Sequence, residues 1–93
     1  MPNWCFNRVS ITCETEEIAE EVLEFLSDHE QVCEIFDAHT HGIDIWMEFE
    51  SRWAPAEDAF IEIQDKWGDE IAAISWFYDE PGMQLAGYLG DGQ

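Results

Sequence analysis

The chain has 93 residues and carries 22 Asp and Glu against three Lys and Arg, a formal charge of −19. That sign repels duplex DNA, single strands and anionic membrane surfaces, so any partner it attracts is basic. A hydrophobic content of 46%, with five Trp and six Phe, excludes a disordered acidic tail and predicts one folded domain over residues 1–93 with a modest core.

Residues 4–12 alternate with period two and predict a strand, with Cys5, Asn7, Val9 and Ile11 on one side and Trp4, Phe6, Arg8 and Ser10 on the other. Thr15 is placed to cap a helix running to about Asp28, and Glu16 and Glu17 suit the positive end of its dipole. On a 100° wheel Ile18, Ala19, Val22, Leu23, Phe25 and Leu26 make its buried stripe. Glu17, Glu20, Glu21, Glu24 and Asp28 stand on the opposite face.

Residues 32–37 form a short strand candidate, and Ala38-His-Thr-His-Gly42 reads as a turn in which Gly42 can take positive φ. Residues 43–50 alternate most clearly, Ile43, Ile45, Met47 and Phe49 against Asp44, Trp46, Glu48 and Glu50. Arg52-Trp-Ala-Pro55 reads as a loop, and Pro55 suits the first turn of a second helix over about residues 56–67. That helix buries Ala56, Ala59, Phe60, Ile63 and Trp67 and shows Asp58, Glu62 and Asp65 outside, with Lys66 as its only base. Gly68 is expected to stop it. Residues 71–78 predict a strand, Asp79-Glu-Pro-Gly82 a turn, residues 83–89 a last strand, and residues 90–93 a flexible end.

The resulting order is β-α-β-β-α-β plus a terminal strand. It predicts an α+β domain of the ferredoxin-like kind: an antiparallel sheet with the first strand central, both helices on one face and the other face open.

The carboxylates are not spread evenly. Between Val9 and Ser51 there are thirteen, and no Lys or Arg. Solvated helices usually mix signs, because opposite charges at i,i+4 add a few tenths of a kcal/mol and like charges cost about as much. On a helix, carboxylates at i,i+4 lie roughly 6 Å apart, and at i,i+2 on a strand about 6.8 Å. Both approximate the separation of neighbouring phosphates on a DNA strand, which rise about 3.4 Å along the axis. A rigid array of this kind can be drawn into a basic DNA channel. Salt adaptation or plain solubility is the competing reading.

Other constellations are weaker. Trp4, Phe6 and Trp46 share the expected open face with Asp44, Glu48 and Glu50, a second candidate surface. Base stacking there is opposed by the carboxylates, which leaves either a dimer or partner interface anchored by aromatics or burial under the terminal hairpin. His39 and His41, beside Asp37 and Asp44, lack a third ligand at a diagnostic spacing, so a solvated turn is the better reading and no metal or cofactor is expected. Cys33 with His39 or His41 is a weak nucleophile–base pair in surroundings that disfavour a thiolate, so no catalysis is expected. Cys5, Cys13 and Cys33 are odd in number and lack a C-x-x-C pair, which predicts reduced thiols. With no long apolar run and no signal-peptide layout, the expected location is the cytoplasm.

Pro-Asn-Trp-Cys-Phe-Asn-Arg-Val at residues 2–9 resembles the YubB-type ferredoxin-domain family of plasmid and phage proteins. Phe49-Glu-Ser-Arg-Trp-Ala-Pro55, Trp67, Trp76-Phe-Tyr-Asp-Glu-Pro-Gly82 and Ala86-Gly87 extend the resemblance over most of the chain. It implies a ferredoxin-like fold and a mobile-element origin, and no activity. The chain departs from the family in being far more acidic. In size and charge it is similar to the DNA-mimicking anti-CRISPR and anti-restriction proteins. The expectation is therefore a non-enzymatic inhibitor, acting in the bacterial host cell as monomer or homodimer on a basic DNA-binding complex (a CRISPR surveillance complex or a restriction enzyme). Its contact surface is expected on Glu17, Glu20, Glu21, Glu24, Asp28, Asp58, Glu62 and Asp65. A structural or assembly module that dimerises through the open sheet is the alternative.

Overall fold

The computed structural model describes residues 4–52, 56–80 and 85–88, with the side chains of Glu80 and of Leu85–Tyr88 left aside. The elements are β1 (Trp4–Cys13), α1 (Glu16–Asp28), β2 (Glu34–His41), β3 (Asp44–Arg52), α2 (Glu57–Trp67), β4 (Ile71–Glu80) and β5 (Leu85–Tyr88). All strand pairs are antiparallel and the sheet order is β2-β3-β1-β4-β5, which puts β1 in the middle. The fold is α+β, two helices on an antiparallel sheet.

The alternation in β1 and β3 decides which face the helices cover. Cys5, Val9, Ile11 and Cys13 of β1 and Ile45, Met47 and Phe49 of β3 are buried, and the intervening residues are exposed or half-buried. Ala19, Val22 and Leu26 of α1 and Ala59, Ile63 and Trp67 of α2 join the same cluster, so both helices sit on one side of the sheet. Trp76 on β4 lies within it, edge-on to Phe49 and Phe60 at 6.0 and 5.6 Å between ring centroids. Each such buried side chain contributes roughly 1.5–3 kcal/mol over leaving it in water.

One polar side chain lies at the centre of this apolar layer. The Asn7 Nδ2 group donates to the Cys5 carbonyl (3.0 Å) and the Ser51 hydroxyl (2.9 Å), and its Oδ1 accepts from Trp76 Nε1 (3.0 Å) and the Ala56 backbone N–H (3.4 Å). Two donors and two lone pairs are all that a carboxamide has, so the group is fully used. Its orientation is fixed by its partners, since a carbonyl can only accept and an indole N–H only donate. The network ties β1 to β3, β4 and the residue that opens α2.

The helix ends are held by different devices. Thr15 is extended and its hydroxyl accepts the Ile18 N–H at 3.2 Å, the N-cap its sequence position predicts. Ala56 has no capping oxygen of its own. Instead Gln31, in the segment after α1, reaches across so that its Oε1 accepts the Ala59 N–H at 3.0 Å. Gln31 also places its amide 3.5 Å from Asp58 Oδ2. A cap borrowed from a residue 28 positions away has no local sequence signature.

Several boundaries differ from expectation. The second strand begins at Glu34 and continues through Ala38, His39 and Thr40 to His41, which pairs with Asp44. The turn is only Gly42 and Ile43, with Gly42 at φ +64° in the position that type II′ hairpins give to glycine. Pairing with β3 overrides the polar, turn-like composition of that stretch, and an edge strand makes little demand for burial. Ile43 consequently belongs to the turn and is exposed rather than core. The third strand runs on to Arg52, and β4 carries Asp79 and Glu80 within the strand where a turn is expected. Gly68 does end α2, but at φ −51° it carries the chain into a 3-10 turn over Gly68–Glu70 rather than reversing it. The loop ending in Pro55, the turn at Pro81 and Gly82, and the terminal residues 90–93 lie outside the described residues. Among the described residues, no helix is long and apolar enough to cross a membrane.

Asn7→Leu keeps the volume and removes the acceptor of the Trp76 and Ala56 N–H groups. The expected loss is about 2–4 kcal/mol in urea unfolding. A change under about 0.5 kcal/mol, the range of an ordinary surface substitution, would show that the network is dispensable.

Candidate functional site

The eight helix carboxylates of the expected contact surface, Glu17, Glu20, Glu21, Glu24 and Asp28 on α1 and Asp58, Glu62 and Asp65 on α2, are all exposed. Their exposure follows from the helical period. Ala19, Val22 and Leu26 turn inwards at i,i+3,i+4 spacing, which points Glu17, Glu21, Glu24 and Asp28 away as one stripe. Asp58, Glu62 and Asp65 stand in the same relation to Ala59, Ile63 and Trp67.

The two helices bring part of this set together and leave part of it apart. Glu21, Glu24 and Asp28 face Glu62 across an open cleft of about 700 Å³, to which Glu30 adds a further carboxylate. Asp65 lines a shallower hollow beside it, with Phe25, Glu62 and Lys66. Glu17, Glu20 and Asp58 line neither. The carboxylates on α1 have no basic group within 4.0 Å among the described residues, where the only ion pairs are Arg8–Glu48, His29–Glu62 and His39–Asp37.

The wall of the cleft is aromatic, and no part of it was singled out by the charge pattern. Phe25 and Trp67 meet edge-on at 5.4 Å between centroids, and the His29 ring is 5.5 Å from Phe25. His29 Nδ1 accepts the Gln31 N–H at 3.1 Å, so the neutral ring carries its proton on Nε2, which points at Glu62 Oε2 3.4 Å away. Lys66 lays its ammonium on both rings, 5.5 Å from the centroid of Phe25 and 5.1 Å from that of Trp67. Phe25 and Trp67 are predicted as core; Trp67 is buried in it and Phe25 is half-buried against it. The signal available in the sequence was the single lysine of α2 directly before Trp67.

The second candidate surface is differently constituted. Trp4, Phe6, Trp46, Glu48 and Glu50 do share the face away from the helices, and Asp44 begins β3 on the same side. β5 extends the sheet beside β4 and does not fold over this face. Trp4 is 37% exposed, Phe6 and Trp46 are half-buried, and Phe36 is 51% exposed and stacks on Phe6 at 6.3 Å between centroids. Its carboxylates have local partners. Glu48 lies 3.5 Å from Arg8 Nε, and Asp44 accepts from the Thr12 hydroxyl at 2.7 Å. Arg8 also sits over Phe6 and Phe77, and Arg52 over Trp4. Two of the three bases in the chain thus serve this face.

The weaker sequence candidates come apart. Cys33 precedes β2 while His39 lies within it, so six extended residues, about 20 Å, separate the thiol from the imidazole. His39 contacts Asp37 at 3.3 Å, and His41 pairs across the hairpin with Asp44, but the described residues include no group of three or more His, Cys, Asp or Glu that could hold a metal ion. Cys5 and Cys13 are buried and Cys33 is exposed, none of them in a disulfide. Burial above all, reinforced by the charges of Asp44 and Glu70, holds the Cys13 thiol above its ordinary value of 9.0.

Two measurements check this arrangement. A thiol reagent at mildly alkaline pH is expected to modify one cysteine per native chain, Cys33, and to reach Cys5 and Cys13 only after unfolding. Rapid modification of all three in native buffer contradicts the burial. Raising ionic strength from about 0.01 M to about 0.15 M shortens the screening length from about 30 to about 8 Å, which should raise the melting temperature by relieving repulsion along α1. A flat response would mean that those carboxylates do not feel one another. Compared with known proteins, the chain matches no protein-family model, no curated protein and no solved structure.

Proposed function

We propose that this protein is a non-enzymatic inhibitor that offers the helix layer as a DNA-like acidic surface to a basic nucleic-acid-binding complex, with a bacterial defence complex of the CRISPR surveillance or restriction type as its target. We further propose that its architecture is the ferredoxin-like split arrangement with one strand added, for which the central position of β1 speaks. The observation that carries the functional reading is the contrast between the two faces. All eight carboxylates of the expected contact surface are exposed, those on α1 have no base nearby among the described residues, and the arginines are gathered on the opposite face against aromatic rings and Glu48. Charges kept for solubility gain nothing from such segregation. Charges presented to a basic channel need it, because a nearby intramolecular cation would weaken the field that draws in the partner. In this reading the fold acts as a rigid mount, and the bacterial cytoplasm is where its target is found.

A second reading retains one specific observation. Trp4 and Phe36 are exposed on the open face, as they would be in a module that dimerises through its sheet. The two readings place the interface on opposite sides of the molecule.

Glu17, Glu20 and Glu24 reversed together to Lys keep helix propensity nearly constant, and they are expected to leave the fold intact while abolishing competition with DNA for the target. Each lost charge-assisted contact is worth about 1.5–3 kcal/mol, tenfold or more in affinity. Asp44, Glu48 and Glu50 reversed in the same way should leave competition in place, with circular dichroism checking the fold because Asp44 and Glu48 have partners of their own. The opposite outcome, inhibition lost only with the open-face set, moves the interface to the sheet. Indifference to both sets in a folded protein means that the charge is adaptive. Direct binding of the purified protein to DNA at moderate salt contradicts mimicry altogether.

A further inference from the structure

We infer that the cleft between the C-terminal half of α1 and α2 is a seat for a cationic side chain, an arginine guanidinium of a basic protein partner, which enters by displacing the ammonium of Lys66. The inference rests on the reading of the helix layer as the contact surface, and it names the place on that layer where specific recognition occurs.

Exposed carboxylates alone would make a diffuse attractor. What distinguishes this place is the aromatic wall behind them and what already occupies it. Phe25 and Trp67 form an edge-on pair, and the ammonium of Lys66 lies over both rings. The chain's own cation therefore demonstrates that the wall accepts positive charge. It does not neutralise the site, because the lining holds the carboxylates of Glu21, Glu24, Asp28, Glu30 and Glu62 against that one amine. A volume of about 700 Å³ is ample for a guanidinium and its stem.

The balance of interactions favours arginine over the resident lysine. A guanidinium is planar, so it stacks on a ring face and still directs its N–H groups in the plane towards carboxylates, two at a time. It is also more weakly hydrated than an ammonium and loses less on leaving water. Lys66 is exposed on the outside of α2, and its head can swing away into solvent without disturbing the core. Glu24 and Asp28 on one rim and Glu62 on the other then flank the incoming group. Phosphates would meet the same carboxylates as a repulsive rim.

Blocked hexa-arginine and hexa-lysine peptides serve as probes, with affinity measured by titration calorimetry at about 0.15 M salt and the footprint by amide and indole NMR shifts. The largest shifts are expected at Phe25, His29, Lys66 and the Trp67 indole, with hexa-arginine bound at least about fivefold more tightly than hexa-lysine. The paired change Glu24→Gln with Glu62→Gln should weaken hexa-arginine about tenfold or more, whereas Glu17→Gln with Glu20→Gln, which removes the same charge outside the cleft, should cost less than about threefold. Lys66→Ala, at an exposed position, should tighten binding. Equal losses for the two pairs, or shifts that follow α1 while Phe25 and Trp67 stay still, overturn the seat and leave the broad acidic surface standing. Failure of hexa-arginine to bind a protein that still competes with DNA overturns the seat as well. Loss of DNA competition as such is the separate failure of the inhibitor reading.

Discussion

A single carboxamide joins the parts of this molecule that would otherwise have little reason to stay in register. Asn7 lies on the central strand, and its four hydrogen bonds reach its own strand, β3, β4 and the start of α2. In an apolar layer such a group is worth having only when every bond is made, since each unsatisfied buried donor or acceptor costs about 1–3 kcal/mol. With all of them made, the alternatives become expensive. A shift of β1 by one residue would send Asn7 to the open face and leave the Trp76 indole N–H orphaned, and would also exchange Val9 and Ile11 for Arg8 and Ser10 in the core. Asn7, Ser51 and Trp76 come from three separate segments that meet at the scaffold, away from the helix carboxylates.

The need for so firm a scaffold follows from the charge. Carboxylates about 6 Å apart along α1 lie within a screening length of roughly 8 Å at physiological salt, so neighbours repel. Packing supplies what offsets them. Ala19, Val22 and Leu26 hold α1 to the sheet, and α2 is anchored twice over, by the Ala56 bond to Asn7 and by the Gln31 cap on Ala59. The segment after α1 therefore couples the two helices as well as connecting α1 to β2. Through His29 and Gln31 it holds the rims of the cleft at a fixed separation. Rigidity would serve the proposed DNA-like surface, because a partner then spends no free energy on ordering it.

The few bases show how the two faces are kept distinct. Arg8 and Arg52 lie against rings on the open sheet, where Arg8 also meets Glu48, and Lys66 lies against rings in the cleft. On the open side the cations lessen local repulsion, and the exposed Trp4 and Phe36 leave that surface less hostile to another protein. On the helix side one amine is set against the densest carboxylates of the chain.

The sequence by itself determined the parts governed by short-range periodicity. The two-residue alternation of β1 and β3 separates core from open face because successive strand side chains point to opposite sides. The spacing of Ala19, Val22 and Leu26 exposes Glu17, Glu21, Glu24 and Asp28 because a helix repeats every 3.6 residues. Thr15 caps α1 through a bond within its own turn. Only the tertiary structure decided what depends on neighbours distant in the chain. Residues 38–41 look like a turn and form a strand because β3 offers them a ladder. Ala56 looks uncapped, yet Gln31 serves α2 from the other side of the sequence. Phe25 and Trp67 read as core, but the approach of α1 to α2 leaves their outer edges to Lys66 and a ring of carboxylates. Periodicity tells which way a side chain points, and packing between distant segments decides what it meets there.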